Sequence, residues 1–166
     1  MKLRHTHAIL FSGFLWLGVG ILLLTKGLKH VFLAGKQVLE GSHEGFSLLL
    51  MLGRFIDNPQ RAVGVLLGCA LLIGLFKGRV VLKKTVNRVV SRIRSHPSPI
   101  KFNQMYSLSY LIILGSMMLL GMLFKVLPLP LDVKGFIDVA IGMALINGAL
   151  LYLRAAYSPE FRKSQE

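Results

Sequence analysis

The sequence predicts an all-α membrane protein: four transmembrane helices in two hairpins joined by a basic amphipathic helix, plus a short interfacial or re-entrant apolar helix. Three observations carry that prediction. Of 166 residues, 54% are apolar and 16% charged, against about 25% charged in soluble domains, and the mean hydropathy is +0.63. Four apolar stretches approach the roughly 20 helical residues needed to cross a core of about 30 Å, in which every backbone polar group must be paired. Between the second and third lies "KGRVVLKKTVNRVVSRIRSH", Lys77 to His96, with seven Lys/Arg and no acid.

The first span is expected from Ala8 to about Phe32. Lys2 and Arg4 ahead of the apolar run Ala8 to Leu24 invite comparison with a secretory signal. That run is 17 residues long, beyond the usual 7 to 15, and "TKGLKHVFLAG" offers no small-x-small cleavage site, so a retained helix is expected. A glycine-punctuated loop, "AGKQVLEGSHEG", follows. Phe46 to Ile56 then forms an apolar run that reaches about half the core thickness as a helix. It reads as an interfacial or re-entrant helix, or as an extension of the next span across a kink.

The second span, Pro59 to Phe76, has a readable start. Asn58 can cap the free amides, and Pro59 suits the first helical position, where its missing N–H costs nothing. The third span, Gln104 to Leu127, ends at "LPLP", where Pro128 and Pro130 stop a helix. The fourth runs from Gly135 to about Leu153. The organisation is therefore a first hairpin over 1–76, a basic connector over 77–103 and a second hairpin over 104–166.

The distribution of charge orients this scheme. The segments before the first span, between the second and third, and after the fourth hold 13 of the 20 Lys/Arg. Positive charge collects on the cytoplasmic side, so both termini and the connector are expected there. The arrangement resembles many small bacterial membrane proteins, which implies a bacterial cytoplasmic (inner) membrane and carries no residue-level function.

Placed at 100° per residue, Leu82, Val86, Val89, Val90 and Ile93 share one arc of the connector, and Lys, Arg, Asn and Ser surround the rest. A basic amphipathic helix of this kind can lie in the headgroup region. Lys83, Lys84, Arg88, Arg92 and Arg94 are the candidates for binding anionic lipid or a partner, at about 1 kcal/mol per cation near an anionic surface. Charge serving topology alone is the plainer reading. Nucleic acid is disfavoured, because the strip has no Phe, Tyr or Trp to stack on bases.

Small residues form two candidate packing stripes: Gly64, Gly68 and Gly74 on the second span, and Ala140, Ala144 and Gly148 on the fourth. Such stripes let helix backbones approach where lipid removes the hydrophobic driving force. The segments "VLLGCALLIG" (Val65 to Gly74) and "VAIGMALING" (Val139 to Gly148) match at five positions, so the two hairpins are candidates for a parallel duplication. Three polar groups fall within or beside spans: Lys125, Asp138 and Asn147. A structural pair of Asp138 with Lys125 across the short connection is the plain reading, and a proton- or cation-coupling carboxylate the functional one. Asn147 reads as an interhelical hydrogen-bonding residue.

No HExxH, GxSxG, GxGxxG or P-loop occurs, and no span pairs a serine with a base, so no catalytic residue is assigned. The five histidines lack zinc-ligand spacing, and neither metal nor cofactor is expected. The function expected is that of a non-enzymatic subunit, scaffold or lipid-organising component. Its partners would be membrane lipids, anionic at the cytoplasmic face, and a second copy or another membrane protein. The alternative is a small oligomeric transporter or channel using Asp138, Lys125 and Asn147.

Overall fold

The computed structural model describes residues 2–3, 5–42, 46–56, 58–95, 100–101, 119, 123 and 126–157. The expected third span, Gln104 to Leu127, lies almost wholly outside the described residues, as does Lys125. The helices are α1 (His5–Leu39), α2 (Leu48–Ile56), α3 (Pro59–Lys77), α4 (Lys83–Ser95) and α5 (Leu131–Tyr157). A π-helical turn, Gly78–Leu82, joins α3 to α4 without a break. Three helical stretches are long and apolar enough to cross a membrane: Ile9–Leu39, Gln60–Ser91 and Leu131–Tyr157.

Helix α1 is longer than expected. Its 35 residues measure about 52 Å at 1.5 Å per residue. The segment read as a loop from Gly35 is helical to Leu39. The true stop is Gly41, at φ 67°, with Gly41 N–H donating to the Val38 carbonyl and Ser42 N–H to the Gln37 carbonyl. Those two bonds form a Schellman cap, whose left-handed residue glycine adopts without strain. Within the apolar stretch, Thr25 Oγ1 donates back to the carbonyls of Ile21 and Leu22 at 3.0 Å, so its hydroxyl is satisfied locally.

The start of α3 is as expected: Asn58 Oδ1 accepts from Gln60 N at 2.9 Å and Arg61 N at 3.4 Å, with Pro59 in the first turn. From there one helix continues to Ser95. Ala62, Leu66, Ala70, Gly74, Gly78, Leu82, Val86 and Val90 are all buried, a residue every four. A four-residue spacing overshoots the α-helical turn by about 40° each step, so a straight α-helix would carry this stripe around its circumference. The π turn, with its longer i to i+5 bonding, takes up part of that drift. A change of packing partner along the helix accommodates the rest.

Helix α5 begins at Leu131, four residues before the expected start, directly after Pro130. It is the central element, antiparallel to α1 and parallel to α3. Two apolar clusters mark the ends of the bundle. In one, Ile9 and Trp16 of α1 pack with Leu145, Ala149, Tyr152 and Ala156 of α5 and with Leu82, Val86, Val89 and Val90. In the other, Val31 and Ala34 pack with Leu49 of α2 and with Ala62 and Leu66 of α3.

The apolar face expected on the connector is therefore real, but it lies against α1 and α5 and not in acyl chains. Leu82 of the π turn and three buried valines of α4, each worth about 1.5 to 3 kcal/mol when removed from water, hold this segment to the bundle. At the same end, Lys2–Leu3 pairs antiparallel with Ile100–Lys101 in a two-residue ladder.

Candidate functional site

The α1–α5 seam is built on glycine. Gly13, Gly20, Gly27 and Ala34 recur every seven residues on α1, as do Gly135, Gly142, Ala149 and Ala156 on α5. The two series meet head to tail. A methyl added at Gly27 would lie 2.9 Å from the Gly135 carbonyl oxygen, and one at Gly135 would lie 2.9 Å from that of Gly27. Gly20 and Gly142 oppose each other in the same way, at 3.0 and 2.9 Å. Backbone meets backbone along this seam, the geometry that small residues permit in membranes. Neither heptad series stood out in the sequence, because each is a stripe only when its counterpart is known.

The stripe expected on the fourth span faces α3. A methyl at Gly74 would strike the Ala140 carbonyl oxygen, one at Gly78 would lie 2.9 Å from Ala144 Cα, and one at Gly148 would lie 2.9 Å from Leu82 Cδ1. Ala140, Ala144 and Gly148 thus meet Gly74, Gly78 and Leu82 in parallel register. An added methyl at Gly64 or Gly68 would touch nothing among the described residues. They lie outside the buried stripe, since Leu66 and Ala70 take the core-facing positions. The parallel course of α3 and α5 suits a duplication, although no described residue approaches Gly68 while its counterpart Gly142 packs on α1.

The polar groups divide into separate stations. The expected pairing of Asp138 with Lys125 falls outside the described residues. Asp138 Oδ2 is 3.9 Å from Lys26 Nζ and 3.7 Å from His30 Nδ1, both on α1. The antiparallel register brings those residues to its level, and no sequence-local argument could identify them. Asn147 Nδ2 donates to the Leu75 carbonyl at 3.1 Å. That carbonyl also accepts from Gly78 N–H at the junction of α3 and the π turn, where a side-chain donor entering the helix ladder accompanies local departures from α geometry.

A third station was not anticipated. Asp132 in the first turn of α5 is fully buried. It accepts from Ser47 Oγ at 2.7 Å, from Leu49 N at 3.0 Å and from Val133 N at 2.8 Å. Ser47 Oγ in turn accepts from Leu50 N at 3.3 Å. A carboxylate at a helix N-terminus satisfies free amides and complements the dipole. Here the carboxylate of one helix caps another, which fixes α2 to the head of α5. Serine three positions before an amide of an apolar run was the available signal.

The basic surface is carried on the outside of α4. Lys83, Lys84 and Arg88 are exposed, as are Lys77 and Arg79 flanking Gly78. Arg92 and Arg94 continue the helix, their side chains lying outside the described residues. No family model, characterised protein or solved structure matches this chain.

Proposed function

We propose that the chain is a four-span, non-enzymatic protein of the bacterial inner membrane that acts by interaction, as a subunit, scaffold or lipid-organising component. Both termini and the C-terminal end of α4 face the cytoplasm in this reading. The observation that carries it is the use made of α4: its apolar face is consumed within the bundle, so its cationic face projects from a fixed helix toward lipid headgroups or a partner. The four-span count is supported by the ends of the described segments. Ile100–Lys101 pairs beside the start of α1, whereas Leu131 packs in the cluster near its far end. The sequence between these two points contains the apolar stretch Gln104 to Leu127.

Crosslinking in the native membrane, followed by identification of what co-purifies, tests this reading. A defined protein partner or an enrichment of anionic lipid supports it, whereas recovery of the lone chain with bulk lipid removes it. The transporter reading has one observation in its favour, the cluster of Asp138 with Lys26 and His30. Against it, the α1–α5 seam is closed by backbone contact, and Asn147 is committed to the Leu75 carbonyl. Saturable flux in proteoliposomes that falls with Asp138→Asn would reverse the choice.

A further inference from the structure

Resting on the membrane-interaction reading above, we propose that Arg79 and Lys83, with the apolar surface behind them, form a site for one anionic phospholipid of the cytoplasmic leaflet. The argument begins with depth. Gly78 lies against Ala144 of α5, and Gly20 of α1 lies against Gly142 and Ile146. Arg79 is therefore level with the middle of uncharged stretches on both neighbours. The first cytoplasmic charge on α5, Arg154, is ten residues beyond Ala144, about 15 Å along the axis. On α1 the apolar run extends still further toward the N-terminus. Moving the bilayer along the bundle does not remove Arg79 from it, because the apolar parts of α1 and α5 bracket this level.

Arg79 is exposed there, and a guanidinium does not lose its charge in a protein. It needs an anion. The chain has seven acids: Glu40, Glu44, Asp57, Asp132, Asp138, Glu160 and Glu166. Asp132 and Asp138 are engaged toward the other end of the bundle, as described above, Glu40 sits at the far end of α1, and Glu44 and Asp57 belong to the segments that follow it. Glu160 and Glu166 lie beyond Arg154, and the whole stretch from His96 to Leu131 contains no acid. Among the described residues no acid stands at this depth, so we assign the counter-anion to a ligand from outside the chain. A lipid phosphate suits it, because the guanidinium fork matches phosphate geometry and the long stem lets the charge reach toward the headgroups.

The surroundings supply the rest of the site. Lys83 lies one turn nearer the cytoplasm on the same side of the helix, so the two cations bracket a headgroup entering from that leaflet. On the side away from the cytoplasm the same face carries Leu72, Leu75 and Phe76, 67%, 39% and 73% exposed. They offer an acyl chain a path directly behind the phosphate.

The test uses the full chain in phosphatidylcholine vesicles containing a minority of phosphatidylglycerol, extracted gently for native mass spectrometry. The wild type should retain phosphatidylglycerol in preference to phosphatidylcholine. Arg79→Gln with Lys83→Gln should reduce that preference by about fivefold for each cation removed, while Arg79→Lys should keep most of it. Unchanged Trp16 fluorescence verifies that the variants remain folded. Retention of the full preference by the double variant overturns the site. Loss confined to Lys84→Gln with Arg88→Gln also overturns it, while leaving the broader role of α4 intact. A wild type with no preference at all removes both.

Discussion

Replacing Gly27 with alanine tests the seam at its tightest point. The added methyl would lie 2.7 Å from Val139 N, 2.9 Å from Asp138 Cβ and 2.9 Å from the Gly135 carbonyl oxygen. Two of these are backbone atoms, so no side chain can rotate out of the way. Ordinary carbon contacts begin near 3.5 Å, so α1 and α5 must separate by roughly 0.7 Å, a gap that forfeits a quarter to a half of each neighbouring dispersion contact. Overpacking of this kind costs about 1 to 3 kcal/mol. Alanine returns up to about 1 kcal/mol of helix propensity, leaving a net loss of up to about 2 kcal/mol. Gly18→Ala is the control, because a methyl there meets nothing within 4 Å and should be neutral or stabilising. Unfolding by SDS titration in mixed micelles, followed through the single tryptophan, reports the seam directly: Trp16 is buried with its ring centroid 6.2 Å from that of Tyr152 on α5. Equal midpoints for Gly27→Ala and wild type, or an equal loss for Gly18→Ala, would refute the reasoning.

Asp132→Ala removes the acceptor shared by Ser47 and Leu49 and should cost about 1 to 3 kcal/mol. Faster hydrogen exchange confined to the amides of α2 is the expected signature, with Asp132→Asn in between. Asn147→Ala removes one interhelical bond and should cost about 0.6 kcal/mol, the mean for such bonds in membranes. Its effect should concentrate in the exchange of amides between Gly78 and Leu82, and a uniform change along α3 would contradict the assigned partner. Reporters fused at the C-terminus and inserted after Ser95 should read cytoplasm, and one inserted at Ser42 the opposite side. Agreement of all three would refute the proposed span count.

The membrane class, the start of α3 and the stripe on α5 were legible because each depends on local chemistry. Asn58 and Pro59 act within one turn, and Ala140, Ala144 and Gly148 recur at a spacing that marks a packing face by itself. The connector showed its apolar face correctly, since periodicity records which residues share a side. It could not show what covers that side, and α1 and α5, not lipid, do so. The continuous four-residue repeat from Ala62 to Val90 was present to be read, but it crosses the boundary between an apolar span and a charged segment, where composition argues for a break. The partners of Asp138 and Asp132 were out of reach, because each is set by a register between helices far apart in the chain.

That separation governs the order in which the protein can be made. Gly13 meets the segment around Ala149, and Gly27 meets Gly135, so α1 completes no part of its seam until the last described helix has entered the membrane. More than 100 residues pass between Leu39 and Tyr157, on the order of ten seconds of translation. During that interval the glycine face of α1 is open to lipid, and α3 lacks the helix against which Gly74 and Gly78 pack. The chain is then vulnerable to the quality-control proteases of the membrane, and a truncation before Leu131 should be cleared rather than accumulate as a partial bundle.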